Sequence, residues 1–413
     1  MNPSSFDVVV IGAGMVGASC ARAIAGRGRR VALVDRAHAG AGATGRAMGH
    51  VMQHDESEPM WNLTRYAQLL WDELGPRLPA ACDRRVCGAL WVAEEEDLAE
   101  ADAKAQRFAA HGLRADLLSA DEVTRLEPNL TGSDEVRIAG GVFIPTDSLV
   151  VALDACRWLV DDAARLGATL LLGVDVEAID HPAARDATTA PRAPTPGARG
   201  VPGGPDQERA ARAADATIAP DARVRLADGT SIAARSVVVA AGARSPRLVP
   251  WLPIRQRKGH LVLTDPAPGF CRHECVELGY IRHTKAGLGD SVAFNVQMRP
   301  AGHVLVGSCR QYDRESDEIE PAMLERMLAR AHAFMPALRR LGRATAWTGF
   351  RPSTPDGLPI IGRDPRHPWL WLATGHEGYG VTSGIATGEI VADLIDGRSP
   401  RIDVSAFAPE RFA

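Results

Sequence analysis

Phe6 to Ile11 is an unbroken apolar run ending in Gly-Ala-Gly, which predicts a strand buried on both faces of a parallel sheet rather than an alternating edge strand. Val16, Cys20, Ala21 and Ile24 then recur at helical spacing, and Gly26 to Gly28 stops the pattern before a second apolar run, Val31 to Val34. The chain therefore opens on a β-α-β unit. Trp61 to Leu74 predicts a helix, Ala89 to Ala93 a strand, and acidic Glu94 to Ala110 a surface helix. Thr146 or Asp147 can cap a long amphipathic helix through Leu166, which Gly167 ends before a strand over Thr169 to Ile179.

The periodicity then fails. Residues 181–220 hold 12 Ala, 7 Pro and 4 Gly, with Val201 and Ile218 as the only larger aliphatics, too little apolar surface to offset the entropy of ordering. A mobile insertion in a hairpin loop is expected, a linker between domains being the other reading. On its far side, Arg223 to Leu226, the turn Ala227-Asp228-Gly229-Thr230 and Ser231 to Ala233 read as strand, tight turn and strand. Val237 to Gly242 is a further apolar strand running into glycine. Residues 255–345 read as α+β, with strands near Leu261, Val292 and Val304 and a helix from Pro321 to about Met335. Trp369 to Ala373 is a last strand, leading through Gly-rich Thr374 to Gly380 into a helix from Val381 to Ile395.

Composition narrows the class. The length of 413 residues suits two or three domains, and 46% hydrophobic with 24% charged residues excludes wholesale disorder, a collagenous repeat and a coiled coil. Lys+Arg 47 against Asp+Glu 51 leaves a net charge of -4, so no basic field is present to hold nucleic acid. The opening MNPSSFDVVV lacks the basic-then-apolar pattern of a leader, and no run reaches the ~18 apolar residues of a membrane span. A cytoplasmic protein without a transmembrane segment is expected. Seven cysteines with no C-x-x-C pair argue for a reducing compartment rather than a disulfide framework. Cys271-Arg-His273-Glu-Cys275 is the one tempting metal cluster, but no second ligand pair follows at finger-like spacing, and no metal is expected.

The chemistry begins at Gly12-Ala13-Gly14-Met15-Val16-Gly17, between the first strand and the first helix. Gly12 permits the tight turn, Gly14 lets a pyrophosphate approach the backbone, and Gly17 lets helix pack on strand. Asp35 stands 18 residues after Gly17 at the end of the second strand, where a carboxylate can accept from ribose hydroxyls. It argues against a ribose 2′-phosphate, although Arg36 follows it. A dinucleotide is predicted, and this motif alone does not choose between NAD and FAD.

Later segments do. They are Ala41-Gly-Ala-Thr44-Gly45-Arg46, Val237 to Ala241-Gly242, Arg351-Pro-Ser-Thr-Pro-Asp-Gly-Leu-Pro-Ile-Ile-Gly362, and Gly375-His376-Glu377-Gly378-Tyr379-Gly380-Val381-Thr382. In this order they resemble the blocks of the D-amino-acid-oxidase-like family of FAD-dependent amine oxidoreductases, over nearly the whole chain except 181–220. The resemblance implies FAD, with Thr44, Gly45 and Arg46 on the pyrophosphate, Gly49 against the flavin, and Val176, Ala241 and Gly242 beside the cofactor. It also implies that Gly378 to Thr382 meet the flavin pyrimidine edge. There the dipole of the last helix can stabilise negative charge.

The same resemblance places Arg351 on the substrate carboxylate, which a guanidinium fork can hold bidentately with Cα–H over flavin N5. The implied reaction is hydride transfer from Cα of a neutral amine, with orientation supplied by the protein. His50 with His54, or His376 with Glu377, can position the amine or accept its proton. Tyr280 and Tyr379 can close the pocket, while Lys258 in Lys258-Gly259-His260 reads as a solvated residue. Sarcosine oxidase-like members attach FAD to a cysteine near the Arg351 block, and none stands between Ala344 and Gly362, so non-covalent FAD is expected.

The expected fold class is α/β, a Rossmann-like FAD-binding domain interleaved with an α+β substrate domain on an antiparallel or mixed sheet. The FAD-binding parts are assigned to 1–85, 141–254 and 346–413, and the substrate parts to 86–140 and 255–345. The closing motif is most similar to the branch with D-hydroxyproline dehydrogenases and the flavin subunits of opine oxidase and hydrogen cyanide synthase. Oxidation of a small amino or imino acid, best a D-proline type such as cis-4-hydroxy-D-proline, is therefore expected. Oxygen, a quinone or a partner protein would take the electrons. Two other readings stand beside it: the flavin subunit of a heteromeric amine or opine dehydrogenase, whose further redox centre must be borrowed, and a flavin-free NAD-dependent dehydrogenase.

Overall fold

The computed structural model describes residues 5–180, 222–279 and 289–413. The expected insertion at 181–220 and Tyr280 lie outside the described residues. Strands buried on both faces need neighbours on both edges, and the first apolar run has them. Ser5–Ile11 pairs in parallel with Val31–Asp35 on one side and Ser231–Val239 on the other. Leu370–Thr374 and then antiparallel Ile360–Arg363 extend one end of this sheet, and parallel Thr169–Leu172 extends the other. Helices Met15–Gly26, Glu58–Leu74, Ala152–Arg165 and Gly380–Ile395 bury one face, with Val8, Val10, Trp71 and Ile390 in one core. Val9, Ile11, Val237 and Leu252 form the core on the opposite face.

The second sheet runs Arg343–Ser353, Arg255–Pro266, His303–Tyr312, Ser291–Met298, Glu274–Glu277, Ala89–Ala93, Gly140–Ile144 and Asp116–Ser119. Its pairings are antiparallel except Glu274–Glu277 with Ala89–Ala93, and helix Pro321–Phe334 packs its outer face. Strands of the two sheets alternate along the chain. Arg343–Ser353 is one strand of the second sheet and crosses the boundary expected at 345/346. Gly140–Ile144 likewise crosses the one expected at 140/141.

Several elements differ from the sequence reading. The helix expected from Asp147 starts at Ala152, because Ser148–Leu149 pairs instead with His50–Val51 as a two-stranded ribbon. Asp147 is no cap: its Oδ1 accepts from the Gln53 backbone N–H and from Gln68 Nε2. The strand over Thr169 to Ile179 breaks at Gly173 into two. Ser231 to Ala233 and Val237 to Val239 are one strand, and its hairpin with Ala222–Leu226 forms with Val224 opposite Ile232. The 94–110 segment is a 3-10 turn and a helix, Leu98–Ala110, that buries Ala101, Phe108 and Lys104. Lys104 is held there by Asp55.

Lys258 is not solvated. It is buried, donating through Nζ to the Glu318 carbonyl at 2.6 Å and to Glu320 at 3.1 Å. The Cys271–Cys275 segment belongs to the core: burial pushes both thiols up, and His273 Nδ1 lies 2.7 Å from Glu127 Oε1. No helix among the described residues is long and apolar enough to cross a membrane.

Candidate active site

A cavity of about 570 Å³ opens between the two sheets, within the ~300–1,000 Å³ usual for cofactor and ligand clefts. One end is built by the first glycine loop. Gly12 has φ +110°, a Cβ there would stand 2.4 Å from the Ala240 oxygen, and one on Gly17 would stand 1.7 Å from the Gly12 oxygen. Only glycine lets strand, turn and helix close in this way. Gly14 instead opens on the cavity, with Thr44 Oγ1 at 3.4 Å as the one near neighbour of an added Cβ. The Met15 N–H donates to Thr44 Oγ1 at 3.0 Å, folding the 41–46 segment over the N-terminus of helix Met15–Gly26. Asp35 accepts from the Ala13 N–H at 2.7 Å and the Ala37 N–H at 2.8 Å, and each oxygen keeps a further acceptor site. Arg36, Val16, Val176, Ala241 and Gly242 line the same end.

Arg46, Gly49 and His50 carry the wall across to the second sheet. Arg46 packs on Gly349, where a Cβ would stand 2.9 Å from its own, and its carbonyl accepts from Trp347 Nε1 at 3.3 Å. The Gly49 carbonyl accepts from the Val150 N–H at 2.8 Å, which fixes the ribbon. His50 Nε2 lies 2.7 Å from Oε1 of fully buried Glu274.

At the far end Arg351 lines the cavity on strand Arg343–Ser353, opposite Arg257 in register. Its Nη1 donates to the Cys309 carbonyl at 3.1 Å. The guanidinium lies on bare backbone, since a Cβ on Gly259 would stand 2.6 Å from Nη1 and 3.1 Å from Cζ. Gly378 faces it from the other side, where a Cβ would stand 3.7 Å from Nε. The closing loop is pinned by the Glu377 N–H on the Pro352 carbonyl at 2.9 Å, and Glu377 itself has φ +47°. Burial pushes the Glu377 carboxyl up, but Arg310, Arg351 and Arg257 outweigh it and hold the group below its ordinary value. Arg257 donates to Glu377 Oε1 at 3.0 Å.

Gly380 and Val381 line the cavity at the start of the last helix. His376 borders it too, but its imidazole points away: Nε2 lies 2.9 Å from Thr387 Oγ1, which itself donates to the Ser383 carbonyl. Thr387 therefore accepts and His376 donates. Burial pushes this imidazole down to about 3, so it stays neutral and is removed from the proton-accepting role expected of it. Ala13, Gly17, Gly45, Tyr379 and Thr382 brace the wall from behind rather than lining it. The Gly45 N–H donates to the Gly40 carbonyl, Tyr379 donates to Glu56 at 3.1 Å, and Thr382 donates to the His50 carbonyl at 3.0 Å. His54 also stands outside the wall, its ring 4.3 Å from that of Tyr379.

The lining fits a flavin dinucleotide. Bare backbone faces the cavity at Gly14, Gly42 and Gly242, two of which have nothing within 4 Å of an added Cβ, and a helix N-terminus and a second-strand acid stand where diphosphate and ribose need them. The model of a family described as FAD dependent oxidoreductase, DAO, matches residues 7–394. The chain belongs to the DAO family. Its cofactor is FAD, and the flavin-free NAD-dependent reading falls with that match.

A D-amino acid dehydrogenase of Paramagnetospirillum magneticum is 27% identical, covering 98% of each chain. A glycine oxidase of Geobacillus kaustophilus is 25% identical, covering 98% of this chain and 97% of its own. The crystal structure of L-proline dehydrogenase from P. horikoshii shares the DAO fold with a TM-score of 0.81 at 21% identity, covering 99% of this chain and 98% of that one. The lining also includes Gly259, Asn295 and Ser308, which the sequence reading passed over. The Lys258-Gly259-His260 triplet was the one signal among them, and there the side chains drew attention away from the glycine.

Proposed function

We propose that this chain oxidises the Cα–N bond of a small α-amino or imino acid, with a D-proline type such as cis-4-hydroxy-D-proline as the preferred substrate. The observation that carries the reading is Arg351, a guanidinium laid along the cavity wall between Gly259 and Gly378, with one nitrogen tied to the Cys309 carbonyl. A fork so placed suits a carboxylate, and it fixes which atom of a small amino acid is presented next. The relatives named for D-amino acids and glycine support the substrate class. FAD, when bound, supplies the two-electron acceptor that takes a hydride from Cα. Gly12, Gly14, Met15 and Val16 with Thr44 would hold its diphosphate, Asp35 its ribose, and Gly378, Gly380 and Val381 its ring.

The amine must lose a proton to become a donor, and His50 is the cavity imidazole placed to take it. Glu274 Oε1 stands 2.7 Å behind Nε2, on the far side of the ring. The reading is tested by flavin bleaching with D-amino acids, N-methylglycine and the hydroxyproline isomers, without and then with oxygen. Arg351→Ala is expected to raise KM for the best substrate at least tenfold with FAD retained. An unchanged KM removes Arg351 from the site.

A further inference from the structure

Two side-chain oxygens of the second sheet, on residues that line this cavity, have no hydrogen-bond partner among the described residues. Asn295 is 6% exposed and Ser308 3% exposed; both line the cavity, and neither Asn295 Oδ1 nor Ser308 Oγ has a hydrogen bond among the described residues. A buried acceptor left unpaired forfeits its hydration, so such groups call for a ligand. The sheet is locally altered to present them. Ser291 to Val292 and Asn295 to Met298 both pair with His303–Tyr312, but the register shifts between them, so Ala293 and Phe294 together oppose Ser308. A bulge of this kind re-aims side chains, commonly beside a site.

We propose that Asn295 Oδ1 and Ser308 Oγ form the subsite for the substrate nitrogen, accepting its N–H donors while Arg351 holds the carboxylate. The proposal rests on the amino-acid reading above. In an α-amino acid the carboxylate carbon and the nitrogen share one Cα, so their anchors must be close neighbours. They are: Arg351 Nη1 is bonded to the carbonyl of Cys309, the residue after Ser308, and Asn295 is in register with Gly307, the residue before it. Two acceptors match the two N–H bonds of a secondary amine that binds protonated, one of which stays on the nitrogen after the other proton has passed to His50, and a ligand with no donor there leaves both acceptors unpaired. Such a site discriminates far more strongly than an apolar pocket does.

The test uses two flat carboxylates of the same shape that cannot be oxidised at Cα, pyrrole-2-carboxylate with a ring N–H and 2-furoate with a ring oxygen. Binding to the FAD-loaded protein is read from the perturbation of the flavin absorption band. The wild type is expected to favour the pyrrole acid by about tenfold or more, the size of one hydrogen bond to a buried partner. Ser308→Ala, the smaller change, is expected to reduce that preference, and Asn295→Ala with Ser308→Ala to abolish it, with 2-furoate binding equal or tighter and flavin content unchanged. Equal loss of both ligands, an intact preference, or loss of FAD overturns the subsite while leaving the amino-acid reading in place. If the wild type binds neither acid, the amino-acid reading falls and the subsite with it.

Discussion

Asp147 lies fully buried behind the cavity ribbon, and burial, reinforced by the nearby Glu274, pushes its carboxyl up from 3.8 to about 7. Between those values the folded protein keeps a proton that the unfolded chain releases. The group's contribution to stability therefore falls as pH rises through this window, and above it the fold carries the full cost of a buried charge. Asp147→Asn keeps an oxygen for Gln53 and Gln68. It is expected to be more stable than the parent at pH 8 by ~2–4 kcal/mol, at ~1.4 kcal/mol per pH unit, with no difference near pH 4, as read by urea unfolding at both. At Gly259 the expected outcome runs through geometry alone. Gly259→Ala drives a methyl into the Arg351 guanidinium, so KM for a carboxylate substrate should rise ~10-fold or more with FAD content intact. Arg351 was legible because its block repeats a known spacing. Gly259, Asn295, Ser308 and Glu274 were not, because a cavity-facing residue differs from a core one only in what stands opposite it.

Helix Gly380–Ile395 approaches helix Met15–Gly26 through two small residues: a Cβ on Gly384 would stand 3.0 Å from Met15 Cγ, and one on Gly388 would stand 2.5 Å from the Ser19 backbone. The contact joins the first glycine loop to the closing loop, so it sets the cavity's length. Gly388→Val is expected to cost at least ~3 kcal/mol, more than an ordinary overpacking because backbone and not a side chain must yield, and to weaken FAD retention, as read by thermal unfolding and the flavin-to-protein absorbance ratio. On the sheet's other side Asp180 lies opposite Arg223 in antiparallel register. Replacing 182–221 by a four-residue turn is therefore expected to leave unfolding temperature and activity within error of the parent. Elements with a single period were legible, above all strand, glycine loop and helix at 5–26. Ser148–Leu149, Asp116–Ser119 and Glu274–Glu277 were not, since two to four residues carry no period and become strands through a distant partner. Asp147 misled for the same reason: a good capping residue was already committed to Gln53.

At the scale of the molecule the two sheets share few covalent boundaries and one lining. Segments 11–50, 175–176, 240–261, 295–317 and 349–381 all contribute to the cavity wall, which passes from the first sheet to the second within 240–261 and back within 349–381. The alternation itself was legible, because dinucleotide-type blocks recur at both ends and in the middle. The exact crossings were not, because Arg343–Ser353 is a strand of the second sheet whose last residues, Gly349 to Pro352, also line the cavity. A ligand that touches all these segments adds its binding free energy to folding, ~2.7 kcal/mol at one hundred times its dissociation constant. Stripping FAD is expected to lower the unfolding midpoint by several degrees, and adding it back to restore the midpoint in a concentration-dependent way, measured by scanning fluorimetry. A wall drawn from both sheets also means that the unliganded chain has the larger open population. Protein stripped of FAD is therefore expected to be cut faster by an added protease than protein reloaded with it, as read by limited proteolysis of the two.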